Sequence, residues 1–96
     1  MSGEPDGVEV RLDLTHHCIE TAARQAHRAA VAAALEREEP DPALEARLAL
    51  LRELLEQQDF RALRASRPEL CGGHRVEVIV YRSGAVVSWR LRQLSW

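Results

Sequence analysis

The 96-residue chain has no lysine and no asparagine, only two cysteines, and two tryptophans, one tyrosine and one phenylalanine as its aromatic residues. Two cysteines are too few for the disulfide framework that holds many small secreted domains together. No apolar run approaches the ~20 residues that a membrane-spanning helix needs. Residues 1–7 are acidic and turn-rich, the reverse of a signal peptide's basic and then apolar profile. These absences predict a cytoplasmic protein without a membrane segment, in which residues 1–7 are a flexible tail.

The composition that is present fits one small folded domain over residues 8–96. Hydrophobic residues make up 46% of the chain, which is enough for a core. The net charge of −2 hides an asymmetry, because 13 acids and six arginines precede Phe60, whereas seven arginines and two acids follow from there. The use of arginine alone has two explanations that stay open: codon bias in a GC-rich genome, or the suitability of guanidinium groups for binding carboxylates and phosphates.

The C-terminal stretch, residues 75–94, predicts a β-hairpin. Its two halves alternate apolar and polar residues around a break at Ser83-Gly84, which is the main sequence signal for a tight reversal between strands. The alternation assigns one face to the core: Val76, Val78, Val80, Val87, Trp89 and Leu91. An isolated hairpin is marginally stable in water, so the rest of the chain must supply another strand and a cover.

The first half predicts a strand followed by a long helix. Alternation over residues 8–14 is typical of a half-buried strand, and Thr15 then stands where a helix N-cap would. The predicted helix runs from His16 to about Arg37. One stripe of it is apolar and dominated by alanine: Ile19, Ala22, Ala23, Ala26, Ala29, Ala30, Ala33 and Ala34. Val31 and Leu35 lie off this stripe, and they are weak evidence for a second contact surface.

Two further helices are predicted before the hairpin. Asp41 and Pro42 suit the cap and the first position of the second helix, whose leucines cover about half of its circumference. An arc that wide can contact the sheet and first helix on one side and a second subunit on the other. Asp59 can cap a short third helix that ends before Pro68. The order β-α-α-(short α)-β-β predicts an α+β two-layer sandwich: a three-stranded sheet with two long helices on one face. The first strand would lie parallel to the third or antiparallel to the second.

Cysteine and histidine residues suggest a metal site. The predicted path brings the segment after the first strand and the loop before the hairpin to the same end of the sheet. Zinc is bound by such side chains, and the ligands would be Cys18, Cys71, His74 and either His16 or His17. The weakness is that the chain lacks two paired ligand motifs. The alternative is that these residues only fill space, since cysteine is often buried. No other cofactor is predicted.

A thiol enzyme is a further alternative. Cys18, near a helix N-terminus, could have a lowered pKa, with His74 as its base. No third residue to orient the histidine can be named. We therefore expect no catalytic activity and assign no catalytic residue.

The basic second half of the chain suggests nucleic-acid binding as another hypothesis. Tyr81, Arg90 and Arg92 share the outer face of the hairpin, and aromatic stacking with arginine is how sheet surfaces hold single strands. The isoelectric point of about 6.1 argues against this function. Arg90 and Arg92 have an alternative role in cross-strand pairs with Glu9, Asp13 and Glu77.

The outer face of the hairpin also predicts contact with other proteins. Apolar and charged side chains would mix on it, and the residues expected to contact a partner are Ile79, Tyr81, Val86, Arg90 and Arg92, with Leu94 and Trp96 on the same side. The sequence therefore favours a non-catalytic interaction or accessory module that binds another protein and forms a homodimer. Zinc binding and nucleic-acid binding are its alternatives.

Overall fold

The computed structural model describes residues 8–94, so the predictions about residues 1–7 and Trp96 lie outside the described part. The elements follow the predicted order. In sequence they are β1 (Val10–Asp13), α1 (Ile19–Glu36), α2 (Pro42–Gln57), α3 (Phe60–Ser66), a 3₁₀ turn (Pro68–Leu70), β2 (Val76–Ser83) and β3 (Val86–Gln93).

The three strands form one antiparallel sheet in the order β1-β2-β3, with β2 in the centre. Val80 of β2 lies opposite Val10 on one side and Trp89 on the other. Of the two placements left open for the first strand, the structure therefore has the one antiparallel to the second. α1 and α2 pack on each other and on the sheet, and the predicted α+β fold is confirmed.

The reversal between β2 and β3 falls one residue later than predicted. Ser83 pairs directly with Val86, so the two-residue loop is Gly84-Ala85. Gly84 has a φ of 63°, which costs glycine little, and glycine at the first loop position suits a turn whose twist matches that of the strands.

The core lies between the sheet and the two long helices. Val78 and Val80 are fully buried beneath α1 and α2, and burying such a side chain contributes about 1.5–3 kcal/mol. The third helix and the turn after it close one end with Phe60 and Leu70. The largest fully buried side chains are Leu14, Ile19, Leu51, Leu54, Leu70, Val78 and Val80.

Two of the three predicted helix caps are confirmed. Asp41 Oδ1 accepts the Ala43 N–H at 3.1 Å, and Asp59 Oδ1 accepts the Ala62 N–H at 3.1 Å. Thr15 is not a cap: its hydroxyl and its N–H both donate to Asp13 Oδ1, at 2.6 and 2.8 Å. The helix then begins three residues later than predicted, at Ile19.

The antiparallel pair of α1 and α2 extends beyond the part of the helices that the core holds. In α1 only Ile19, Ala22 and Ala23 are buried, all in its first two turns. In α2 the buried residues, Leu50, Leu51 and Leu54, lie in its second half. The predicted alanine stripe is thus buried at its beginning only. The joined ends of the two helices form an αα-hairpin whose apolar side chains are partly exposed.

Candidate interaction surfaces

Residues 16–18 and 71–74, which hold the cysteines and histidines of the predicted metal site, approach each other through backbone atoms. The Gly73 N–H donates to the Thr15 carbonyl oxygen at 3.0 Å. A Cβ added to Gly72 would lie 3.1 Å from the His17 carbonyl carbon, so the loop 71–74 packs tightly against the segment before α1. Glycine at position 72 permits this approach, and its φ of 88° also favours glycine.

The side chains of the two segments do not assemble the predicted metal site. Between residues 8 and 94, no group of three or more His, Cys, Asp or Glu residues is arranged to hold a metal ion. Cys71 is exposed, and its Sγ donates to the Arg64 carbonyl oxygen at 3.7 Å. The structure therefore does not bring Cys18, Cys71, His74 and His17 together as one ligand set.

The Cys18 thiol lies directly before α1 and contacts Thr21, with 3.2 Å between Sγ and Oγ1. Burial raises the pKa of this thiol. Hydrogen bonds from the hydroxyl and backbone of Thr21 and from the backbone of Glu20, together with the charge of Arg64, lower the pKa by more than burial raises it. The hydrogen-bond partner that acidifies the thiol is thus a threonine, not the predicted base His74.

The outer face of the sheet, on the side away from the helices, carries cross-strand ion pairs. Arg90 reaches across β2 to Glu9, with 3.1 Å between Nη2 and Oε2, and its guanidinium lies 5.3 Å from the ring centroid of Tyr81. Arg92 lies 3.9 Å from Glu77. The cross-strand pairing expected with Glu9 and Glu77 is therefore present, and each of the two arginines proposed for nucleic-acid contact has a carboxylate neighbour within the sheet.

Ile79 corrects the prediction of an exposed apolar residue on this outer face. It points away from the helices, because Val78 and Val80 on either side of it face the core. Nevertheless, only 3% of Ile79 is exposed. Arg11 and Arg90 flank it on the neighbouring strands. Their aliphatic stems can cover an apolar side chain while the charged ends stay in water. Ile79 is thus not available for direct contact with a partner.

Among residues 8–94, the largest exposed apolar side chain lies on α1 and not on the sheet. Leu35 is 82% exposed and Val31 is 37% exposed. With Arg24 and Arg28 they are spaced at i, i+4, i+7 and i+11, so the four side chains form one straight stripe on the helix. We call this set the α1 stripe. The sequence held its signal, in the two aliphatic residues off the alanine stripe, but gave no reason to prefer it over the sheet.

A groove lies beside the α1 stripe, between α1 and α2. It has a volume of about 230 Å³ and is lined by Arg24, His27, Arg28, Val31 and Leu55. Val31 and Leu55 contribute apolar side chains to it, and Arg24 and Arg28 contribute positive charge. Arg24 pairs with Glu20 at 2.8 Å, whereas Arg28 makes no ion pair within residues 8–94. The groove therefore suits an apolar side chain with negative charge next to it.

The outer edge of β3 is a second surface that the sequence did not single out. β3 has eight residues and pairs only with β2 among the described strands. Its inner-face residues Val87, Trp89 and Leu91 are only half-buried. Trp89 Nε1 donates to Gln58 Oε1 at 3.2 Å, and the Arg67 guanidinium lies 5.7 Å from the indole ring. These contacts hold the tryptophan in place beside an open strand edge.

Fold and surfaces together define a small two-layer α+β domain with apolar positions left open on one helix and one strand edge. The chain matches a protein-family model over residues 8–90, and it belongs to that family, to which no function is assigned. No curated protein and no solved structure gives a significant match. Within residues 8–94, no helix combines the length and apolar character that crossing a bilayer requires.

Proposed function

We propose that this chain is a non-catalytic interaction module that forms a homodimer through the α1 stripe. The observation that carries the proposal is the 82% exposure of Leu35 on the same helix face as an unfilled groove. The two free cysteines fit the reducing cytoplasm, which is the compartment we propose.

The distance along α1 between Leu35 and the groove suits twofold symmetry. Arg28, on the rim of the groove, and Leu35 are seven residues apart, about 10 Å along the helix axis. A twofold axis that crosses α1 near Val31 runs the two copies of the helix antiparallel. Each Leu35 then lies at the groove of the other copy. In a symmetric interface each contact forms twice, so both copies of Leu35 are buried and both grooves are occupied.

The charges along α1 favour the same antiparallel arrangement. The groove rim carries Arg24 and Arg28, whereas the end of the helix and the following loop carry Glu36, Glu38 and Glu39, all exposed. In the antiparallel dimer this acidic end of one copy lies beside the arginines of the other. A parallel arrangement would place arginine beside arginine. Surface pairs of this kind contribute little energy, but they select orientation.

Light scattering of the wild-type protein and of Leu35→Glu at tens of micromolar tests the proposal. Two leucines lose about 1.5–3 kcal/mol of burial each, so the dissociation constant should rise at least about 100-fold and the variant should be monomeric. Val86→Glu is the control, because Val86 is also an exposed aliphatic residue but lies at the β2–β3 hairpin. A wild-type protein of monomeric mass, or a Leu35→Glu variant that stays dimeric, would refute the proposal.

Charge reversal tests the orientation separately. Replacing Arg24 and Arg28 with glutamate should weaken the dimer, and so should replacing Glu38 and Glu39 with arginine. Combining the four changes should restore dimerisation toward the wild-type level, because opposite charges again face each other. Additive losses without restoration would mean that these charges do not meet across the interface.

A further inference from the structure

We propose that the outer edge of β3 binds an extended segment of a partner protein in which acidic residues alternate with apolar ones. This inference goes beyond the homodimer, because it uses the edge of β3 and not the α1 stripe. The bound segment would add a fourth strand to the sheet, a common way in which proteins recognise peptides.

The hydrogen-bond pattern identifies the backbone groups that are open to a new strand. The Leu14 N–H donates to the Val76 carbonyl, so even-numbered residues of β2 bond to β1. The Leu94 N–H donates to the Arg75 carbonyl, so odd-numbered residues face β3. On β3, the partners of those odd-numbered residues are Ser88, Arg90 and Arg92. The alternate residues Val87, Trp89 and Leu91 therefore direct their N–H and C=O groups outward.

The side chains along this edge determine the chemistry of the added segment. The residues with outward backbone groups carry the half-buried apolar side chains of the inner face, so apolar residues of a new strand would extend the core. The outer face presents Arg90 and Arg92, whose side chains are 53% and 57% exposed. Arg92 is 3.9 Å from Glu77, beyond hydrogen-bond distance, and each guanidinium has donors for a second carboxylate.

Charge also makes a second copy of β3 a poor occupant of the edge. The last acidic residue of the chain is Glu77, and the sequence from there to the end holds three arginines and no acid. Two copies of β3 side by side would place four arginines on one face with no carboxylate from either strand. An acidic segment of another protein neutralises this charge, so the edge favours a different partner.

Amide hydrogen exchange measured by NMR tests the inference with a ten-residue peptide of alternating valine and glutamate. The protein is Leu35→Glu, so that failure of the proposed dimer does not affect the result. At saturating peptide, exchange at Val87, Trp89 and Leu91 should slow about tenfold or more, while exchange at Ser88 and Arg90 stays unchanged. Peptide binding without this alternating protection would overturn the inference.

Two control peptides separate strand pairing from charge attraction. A peptide with lysine in place of glutamate should not bind, because its charge repels the arginines. A peptide that keeps the glutamates but has proline in place of valine cannot form the backbone bonds, and it should bind at least about tenfold more weakly. Equal binding of the proline peptide would show that charge alone attracts it, and would refute strand addition.

Variants of the edge give a second, independent test. Leu91→Pro removes an outward N–H without removing a bond to β2, so the sheet should persist by circular dichroism while peptide affinity falls about tenfold or more. Replacing Arg90 and Arg92 with glutamine should also weaken binding about tenfold, whereas Arg47→Gln on α2 should not. If Leu91→Pro disrupts the sheet, the arginine variants decide: unchanged affinity in them would overturn the proposal. Protection of the edge amides in free protein that is lost on dilution would mean that a second copy occupies the edge, and would also overturn it.

Discussion

Replacing Ile79 with alanine should destabilise the protein as strongly as a substitution in the core, although Ile79 lies on the face of the sheet without helices. The change removes three carbons, and at about 0.8 kcal/mol for each buried carbon the loss is about 2.4 kcal/mol. If the covering arginines do not close over the space, the cavity raises the loss toward ~4 kcal/mol. For a domain of this size, 2.4 kcal/mol corresponds to a fall of about 10–20 °C in the unfolding temperature.

Urea unfolding followed by circular dichroism measures this loss. Val86→Ala is the control, because Val86 is 58% exposed and its truncation should change the free energy of unfolding by less than about 0.5 kcal/mol. Arg90→Ala should also destabilise, and combining it with Ile79→Ala should cost less than the sum, because the two residues are direct cross-strand neighbours. A loss below about 1 kcal/mol for Ile79→Ala would show that solvent reaches this side chain, and would refute its burial under the ion pairs.

Two further predictions concern the segment between β1 and α1 and the loop that packs on it. Gly72→Ala should cost about 2 kcal/mol or more in thermal unfolding, since its φ of 88° is unfavourable for alanine and the new Cβ meets the His17 backbone. Gly73→Ala is the control and should cost less, because Gly73 has a similar φ of 82° but open space around the added Cβ. Equal losses in the two variants would contradict the close contact at Gly72. The Thr15 hydroxyl and N–H lower the pKa of Asp13. Thr15→Val should raise that pKa in an NMR titration. Thr15→Val should be less stable than the wild-type protein at neutral pH, and this difference in the free energy of unfolding should vanish as the pH falls through the native pKa of Asp13. An unchanged Asp13 pKa in the variant would contradict the role of the hydroxyl.

Local sequence signals predicted the elements of the fold well. Alternation placed all three strands, and the caps at Asp41 and Asp59 were correct because each depends on a side chain and the backbone two or three residues away. Thr15 failed as a cap because the nearby Asp13 carboxylate accepts its hydroxyl, and because the loop around Gly73 binds its carbonyl. That second contact joins segments far apart in sequence, which periodicity does not report.

The candidate surfaces could be predicted only in part. The stripe of alanines on α1 gives no information on how much of it the sheet covers. The buried residues of α1 all lie in its first two turns, whereas Leu35 lies next to its last residue, Glu36. The 82% exposure of Leu35 therefore required the structure. Likewise, alternation correctly placed Ile79 on the outer face, but it did not report that this residue, which lies between Arg11 and Arg90 on the neighbouring strands, is buried.

The central position of β2 also limits when β1 can join the sheet. The β2–β3 hairpin and the α1–α2 pair each join neighbouring segments, whereas Val10 must find Val80, about 70 residues away. At 5–20 residues per second, a ribosome takes roughly 4–14 s to make that intervening stretch. The N-terminal strand is thus synthesised first, but it can join the sheet only after its partner near the other end of the chain has emerged.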